Sequence, residues 1–167
     1  MPGIRRQKKM YSRPRKPFEL DRITEENEVV KKYGLKNKKE LWRADAAISK
    51  IRNIAKKLIT APTEEQEAFI SRLAKKGLLK AGSQIDNVLD LKKEDNLERR
   101  LQTIVLKRGF AKSAKQARQL VTHKCVRVGD RIINIPSYSV DLDEEQMVSI
   151  VPAKVKAEAK PVMEAAQ

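Results

Sequence analysis

Between Asn96 and Asn134 the hydrophobic period switches from helical to alternating, and that switch limits what the chain can fold into. The stretch reads NLERRLQTIVLKRGFAKSAKQARQLVTHKCVRVGDRIIN. Leu97, Leu101, Ile104 and Val105 fall at i, i+4, i+7 and i+8, one face of a helix, with Asn96 placed to cap it and Gly109 to end it. Ser113 then caps a second helix, with Gln116 three residues on as its reciprocal partner. Ala114, Ala117, Leu120 and Val121 form the apolar face of that helix; Lys115, Arg118, Gln119 and Thr122 form the other. After His123-Lys124 the period becomes two: a strand over Cys125–Val128, a turn at Gly129-Asp130 and a return over Arg131–Asn134. Val126 and Val128 face one way, Cys125 and Arg127 the other. A strand over Met147–Val151 closes a small sheet, and the intervening DLDEE is expected as an acidic loop turned away from any polyanion.

The chain upstream reads as helices. ITEENEVVKKY has Thr24 as a cap, acids in the first turns and Lys31-Lys32 in the last, a polarity that suits the helix dipole, with Gly34 as the stop. Asn37 three before Glu40 repeats the capping pattern. Leu41, Ala44, Ile48, Ile51, Ala55 and Leu58 then define the longest helix, over 38–60, with Arg43 and several lysines off the stripe. Trp42 lies beside the stripe as a packing residue. Ala61-Pro62 breaks the helix. Thr63 and Gln66 open a third one, ending at Gly77 and paired with the second as a helical hairpin. Within 78–95, DNVLDL fits either a strand or a helical turn. The expected fold class is α+β: a basic extended arm (1–20), a helical N-terminal domain (21–95), a module of two helices and a small antiparallel sheet (96–152), and a disordered tail (153–167).

Charge identifies the partner class. Lys and Arg number 37 against 22 Asp and Glu, a formal net charge of +15, which predicts a polyanionic partner. No apolar run approaches the ~20 residues of a spanning helix, and MPGIRRQKKM is followed by no apolar core, so it is not read as a secretory signal. Nucleic acid is therefore favoured over membrane, in the cytoplasm. Arg5, Arg6, Lys8, Lys9, Arg13, Arg15 and Lys16 occupy a segment without acids and with three prolines. Such a segment has no apolar face to bury and is expected to order along phosphates. The first turn of the second module helix, Lys112 to Gln116, offers backbone N–H groups, a positive dipole end and Lys112 and Lys115, a candidate phosphate site. The single Cys, Cys125, and the single His, His123, cannot supply a zinc site. No metal, cofactor, phosphate loop or catalytic constellation is apparent, so no enzyme activity is expected.

GFAKSAKQARQLVTHKCVRVGDRIINIPSY resembles the RNA-binding module shared by ribosomal protein S-four, certain pseudouridine synthases and bacterial tyrosyl-tRNA synthetases. The likeness lies in GFA-S-AR-L on the helices, V-V-G-R on the hairpin and IPSY after it. RKPFELDR and KKYGLKNKKELWRAD resemble the N-terminal part of the small-subunit S-four family in its archaeal and eukaryotic form. The absence of the bacterial cysteine cluster and the modest length favour the archaeal branch. The resemblance covers roughly residues 11–151. It implies a structural protein of the small ribosomal subunit that binds 16S-type rRNA early, nucleates assembly and influences decoding accuracy. Its implied partners are that rRNA, neighbouring small-subunit proteins and mRNA where it enters. Carried onto matching positions, it implies RNA contacts from Arg99, Arg100, Arg108, Lys112, Ser113, Gln116, Arg118, Gln119, His123 and Arg127. Lys115, Lys124, Arg43 and the cations of the arm extend the expected surface. The module carries no stacking aromatics, so shape and backbone should dominate recognition. The alternatives are a stand-alone RNA-binding regulator and an accessory of an RNA-modifying enzyme.

Overall fold

A computed structural model describes residues 9–80 and 82–151. Arg5, Arg6 and Lys8 of the arm, and the expected tail, lie outside the described residues. In chain order the elements are α1 (Leu20–Tyr33), α2 (Lys38–Leu58), α3 (Thr63–Lys75), α4 (Asp86–Leu89), α5 (Lys93–Glu98), α6 (Leu101–Lys107), α7 (Ala114–Thr122), β1 (Val126–Val128), β2 (Arg131–Ile132), α8 (Leu142–Gln146) and β3 (Val148–Ile150). The α+β class is as the sequence indicates.

Helix stops follow the glycines and helix starts do not all follow the expected caps. Gly34, at φ 60°, ends α1: its N–H bonds Lys31 O and that of Leu35 bonds Val30 O. This left-handed C-cap turns the chain without a Cβ penalty. Thr24, expected as a cap, lies inside α1, its hydroxyl donating to Asp21 O at 2.6 Å. The helix starts earlier because Arg22 donates to Lys16 O and Pro17 O and pairs with Glu26, fixing the first turn. Asn37 precedes α2 without a side-chain cap bond: Glu40 N–H bonds Asn37 O at 3.0 Å, and the Glu40 carboxylate, which would have returned to Asn37, is drawn to arginines elsewhere. Pro62, not Thr63, holds the cap position of α3, and Gln66 donates back to Ala61 O at 3.0 Å. Asn96 is inside α5, whose start is closed by the Asp95 carboxylate accepting from Lys92 N–H at 2.7 Å. The helix expected over 97–108 is thus two helices, broken where Arg100 turns extended (ψ 142°). At that break Leu101 N–H bonds Tyr138 O and Val140 N–H bonds Arg99 O.

The α2 stripe is shared between two apolar clusters. Leu41 and Ala44 pack with Tyr33, Leu35 and Leu97. Ile48 and Ala55 pack with Leu73, Val88 and Leu91, where α3 and α4 fold back on the helix. DNVLDL is thereby a helical turn, with Val88 fully buried. A third cluster joins Leu101, Ile104 and Val105 of α6 to Ala117 and Val121 of α7 and to Val126, Val128, Val140 and Val148. Burial of such side chains stabilises by about 1.5–3 kcal/mol each. Leu97 and Leu101, four residues apart, therefore belong to different clusters.

The sheet is antiparallel in the order β2-β1-β3. Arg127 pairs with Ile132 and with Ser149, and Val128 with Arg131 and Val148. Val126 and Val128 are buried and Arg127 is exposed, the alternation expected of a half-buried strand. The strands are shorter than expected. Cys125 N–H bonds Leu120 O and so belongs to the end of α7. The DLDEE segment is a helical turn, not a loop: Asp141 caps α8, and Glu144 accepts from Tyr138 Oη at 2.9 Å.

Gly34 also marks a close approach. A Cβ there would lie 2.8 Å from Ala114 Cβ and 3.0 Å from Gln102 Nε2. Gly34→Ala is expected to lower the unfolding free energy by about 2 kcal/mol or more, from the left-handed backbone and the clash together. Urea denaturation reads this directly; an unchanged midpoint would contradict the contact.

Candidate nucleic-acid interface

The first turn of α7 is capped by its own sequence. Ser113 Oγ accepts from Gln116 N–H at 3.3 Å, and Gln116 Oε1 accepts from Lys112 N–H at 2.9 Å. The Ser113 half of the expected box is present, but the Gln116 side chain reaches one residue further back, to Lys112 N–H in place of Ser113 N–H, and this has a consequence for the candidate phosphate site. Two of the amides that would have faced an anion are already bonded, and Ala114 presses on Gly34. What this turn presents outward is therefore chiefly the exposed side chains of Lys112 and Lys115.

Behind α7 lies the joint between the helical half and the module. Glu40 of α2 accepts from Arg118 Nη2 at 2.9 Å through Oε1, and from Arg100 through Oε2. Side-chain exposure is 16% for Glu40, 9% for Arg100 and 24% for Arg118. Burial alone would push the Glu40 carboxyl up, but hydrogen bonds from Arg118 and Arg100 outweigh it and hold the group below the usual carboxylate range. Gln102, 2% exposed, completes the joint. Its Nε2 donates to Tyr33 O (3.0 Å), Gly34 O (3.2 Å) and Ala114 O (2.9 Å), so carbonyls from both halves share one amide group. A cavity of about 300 Å³ opens beside the joint, lined among others by Arg43, Asn96, Ser137 and Ser139.

Two more arginines are drawn inward. Arg99 donates to Glu145 at 2.7 Å and to Val140 O at 2.9 Å. Its guanidinium lies against Gly77, where a Cβ would come within 2.7 Å of Cζ. Arg108 donates to Val148 O at 3.0 Å and Gln146 O at 3.3 Å, holding β3 against the end of α6.

The family model for the S4 domain matches residues 99–145. The small ribosomal subunit protein uS4 of Korarchaeum cryptofilum is 45% identical over 151 residues, covering 89% of this chain and 91% of that protein. The uS4 protein of Methanothermobacter thermautotrophicus is 41% identical over 167 residues, covering 98% and 96%. That of Methanospirillum hungatei is 42% identical over 150 residues, covering 84% and 83%. The chain belongs to the uS4 family of small ribosomal subunit proteins. The archaeal relatives agree with the branch favoured by the missing cysteine cluster and the modest length together, and the S4 match over 99–145 spans α6, α7, β1 and β2.

Within this uS4 chain the expected contact residues divide into two groups. Lys112, Ser113, Lys115, Gln116, Gln119, His123, Lys124 and Arg127 are all exposed on α7 and the hairpin. Arg99, Arg100, Arg108 and Arg118 are engaged within the protein. Arg100 is the least accessible of the four: at 8% exposure its side chain belongs to the joint, where the Glu40 carboxylate takes the place of water. Arg131 is an exposed cation on β2 that sequence reasoning left out. Gln102 and Glu40 were missed as structural residues. Their partners in the opposite half lie roughly 60–80 positions away, and Glu40 carried a local signal, capping, that pointed elsewhere. Of the arm, Lys9, Arg13, Arg15 and Lys16 are exposed, and its described part, from Lys9 onward, rests on the helical half. Tyr11 rests on Trp42 with ring centroids 6.1 Å apart, and Arg43 lies 6.0 Å from the Tyr11 centroid. Trp42 Nε1 donates to Glu26. Among the described residues no group of three or more His, Cys, Asp or Glu could hold a metal ion, and no helix is long and apolar enough to cross a membrane.

Lys124 occupies the left-handed position after α7, at φ 62°, where glycine is the usual residue. Lys124→Gly should raise stability by up to about 1 kcal/mol, measured by denaturation; a loss would contradict the strain. The joint makes a pH prediction. Because the folded-state pKa of Glu40 is depressed, its contribution is present above the unfolded value, about 4.3, and is lost as pH falls through the folded value. Glu40→Gln should therefore flatten the decline in melting temperature below about pH 4.3 relative to the parent chain, and an unchanged decline would contradict the ion-pair assignment.

Proposed function

We propose that this chain is a structural constituent of the small ribosomal subunit that binds 16S-type rRNA early, nucleates assembly and contributes to decoding accuracy. The near full-length likeness to archaeal uS4 proteins carries this reading, because it spans the helical half as well as the S4 domain. A borrowed RNA-binding module would share only the latter. The proposed partners are the rRNA, neighbouring small-subunit proteins and mRNA along the path by which it enters, all in the cytoplasm.

The geometry supports a division of labour. Lys112, Lys115, Lys124, Arg127 and Arg131 supply charge along α7 and the hairpin, and Gln119, Ser113 and Gln116 supply neutral hydrogen bonds. Charge of this kind neutralises phosphates and positions the protein, and the rigid placement of α7 against the sheet gives shape selectivity for folded RNA. The docked arm and Arg43 add a second cationic surface on the helical half. Function then consists of holding two RNA-facing surfaces in one orientation, with no bond made or broken.

Crosslinking the chain to RNA in cells should recover a compact region of small-subunit rRNA; recovery of scattered messenger or transfer RNAs would overturn the reading. Affinity for the rRNA should fall steeply with salt. Lys115→Ala and Arg127→Ala should each reduce the log–log slope by roughly 0.7–0.9. An unchanged slope in both variants would remove α7 and the hairpin as the contact surface.

A further inference from the structure

The module has no stacking aromatic, but the arm does. Phe18 is 89% exposed, the most exposed large hydrophobic among the described residues, and Leu20 close by is 75% exposed. Phe18 stands immediately before Glu19, the cap residue of α1. A hydrophobic residue in that place commonly folds onto the fourth residue of the helix as a staple. Ile23 is available there, half-buried, yet Phe18 is left in solvent. Its ring thus has no structural use among the described residues.

The backbone that carries it is anchored. Arg22 Nη2 donates to Lys16 O and to Pro17 O, both at 3.0 Å, while Nη1 donates to Glu26 at 2.6 Å. Glu26 is 5% exposed and is held in turn by Trp42 Nε1 at 3.1 Å and by Lys38 at 3.2 Å. An unbroken chain of contacts therefore runs from the α2 surface to the two carbonyls just before Phe18. Pro17 fixes φ at the preceding position. The ring is presented by a braced turn.

Its surroundings specify what it meets. From Lys9 to Phe18 the sequence has four cations, Lys9, Arg13, Arg15 and Lys16, and no acid. The nearest acids, Glu19 and Asp21, follow it, and Glu19 faces Arg22 at 3.9 Å. A ligand that accepts a bare aromatic ring amid cations must combine negative charge with a flat apolar face. An unstacked nucleobase on a phosphate backbone has both. We infer that Phe18 stacks on an unstacked base of the RNA held by the arm, a contact that is independent of charge. This rests on the rRNA-binding reading and adds to it a single base-recognition point outside the S4 domain.

The test compares full-length Phe18→Ala, Phe18→Trp and Arg15→Ala with the parent chain, using small-subunit rRNA as the probe. Loss of one base stack corresponds to about 5- to 150-fold in affinity. Phe18→Ala should lose affinity in that range without changing the salt slope, whereas Arg15→Ala should lower the slope by roughly 0.7–0.9. Phe18→Trp should retain affinity and show emission quenched by rRNA beyond the Trp42 signal of the parent. Unfolding midpoints should be unchanged, since Phe18 packs on nothing. If the parent binds rRNA and Phe18→Ala binds equally well, the inference is overturned while the rRNA-binding reading stands. Quenching by anionic vesicles but not by rRNA would overturn it in favour of a lipid surface. Failure of the parent to bind rRNA would overturn the reading on which it rests.

Discussion

One carboxylate decides how the two halves of this molecule are joined. Glu40 receives Arg100 from the break before α6 and Arg118 from the flank of α7. The three side chains would each be costly to bury alone, because an unpaired charge away from water must be neutralised or solvated. Together, with Gln102 sharing its amide among carbonyls of both halves, they form a polar contact between apolar clusters. Apolar packing can slide; a carboxylate between two planar guanidinium groups fixes direction as well as distance. The helical half and the S4 domain are thereby set at one angle, and the cationic surfaces they carry are set with them.

Between Arg99 and Arg118 every arginine turns inward, whereas Arg127 and Arg131 on the hairpin stay exposed with the lysines. Arg99, Arg100, Arg108 and Arg118 bind carboxylates or carbonyls within the chain. Lys112, Lys115 and Lys124 remain in solvent. A guanidinium offers five donors in a fixed plane and is weakly hydrated, so it serves as a crosslink between distant backbone segments. An ammonium on a flexible stem is a better mobile charge for phosphates. A large positive charge can therefore serve two ends at once, with part of it spent on architecture before any RNA is met.

Much of this was legible in the sequence, and the limits have physical causes. The helix faces of α2, α6 and α7, the Gly34 stop and the Ser113 cap are local patterns, with their determinants a few residues apart. The alternation of Val126, Arg127 and Val128 was equally local. What could not be read were contacts set by packing. The break at Arg100 depends on a backbone pairing with the segment 138–140, and Asn96 loses its capping role because a separate helix already begins at Lys93, closed by Asp95. Glu40 and Asn37 satisfied a capping pattern that tertiary contacts overrode. Of the candidate surface, the exposed face of α7 was visible as a helical stripe. The inward turn of four arginines was not, because nothing in an Arg codon's neighbours says where a carboxylate will be.

The role of the joint can be separated from simple electrostatics by measuring rRNA affinity for full-length Glu40→Gln. Removing an acid from a protein that binds a polyanion should strengthen binding if charge alone mattered, and more so if it released Arg100 and Arg118 to the RNA. If Glu40 instead holds two binding surfaces in register, losing it costs preorganisation. The account predicts weaker binding by about tenfold, or 1.4 kcal/mol, with the fold retained. Equal or tighter binding by Glu40→Gln would contradict it.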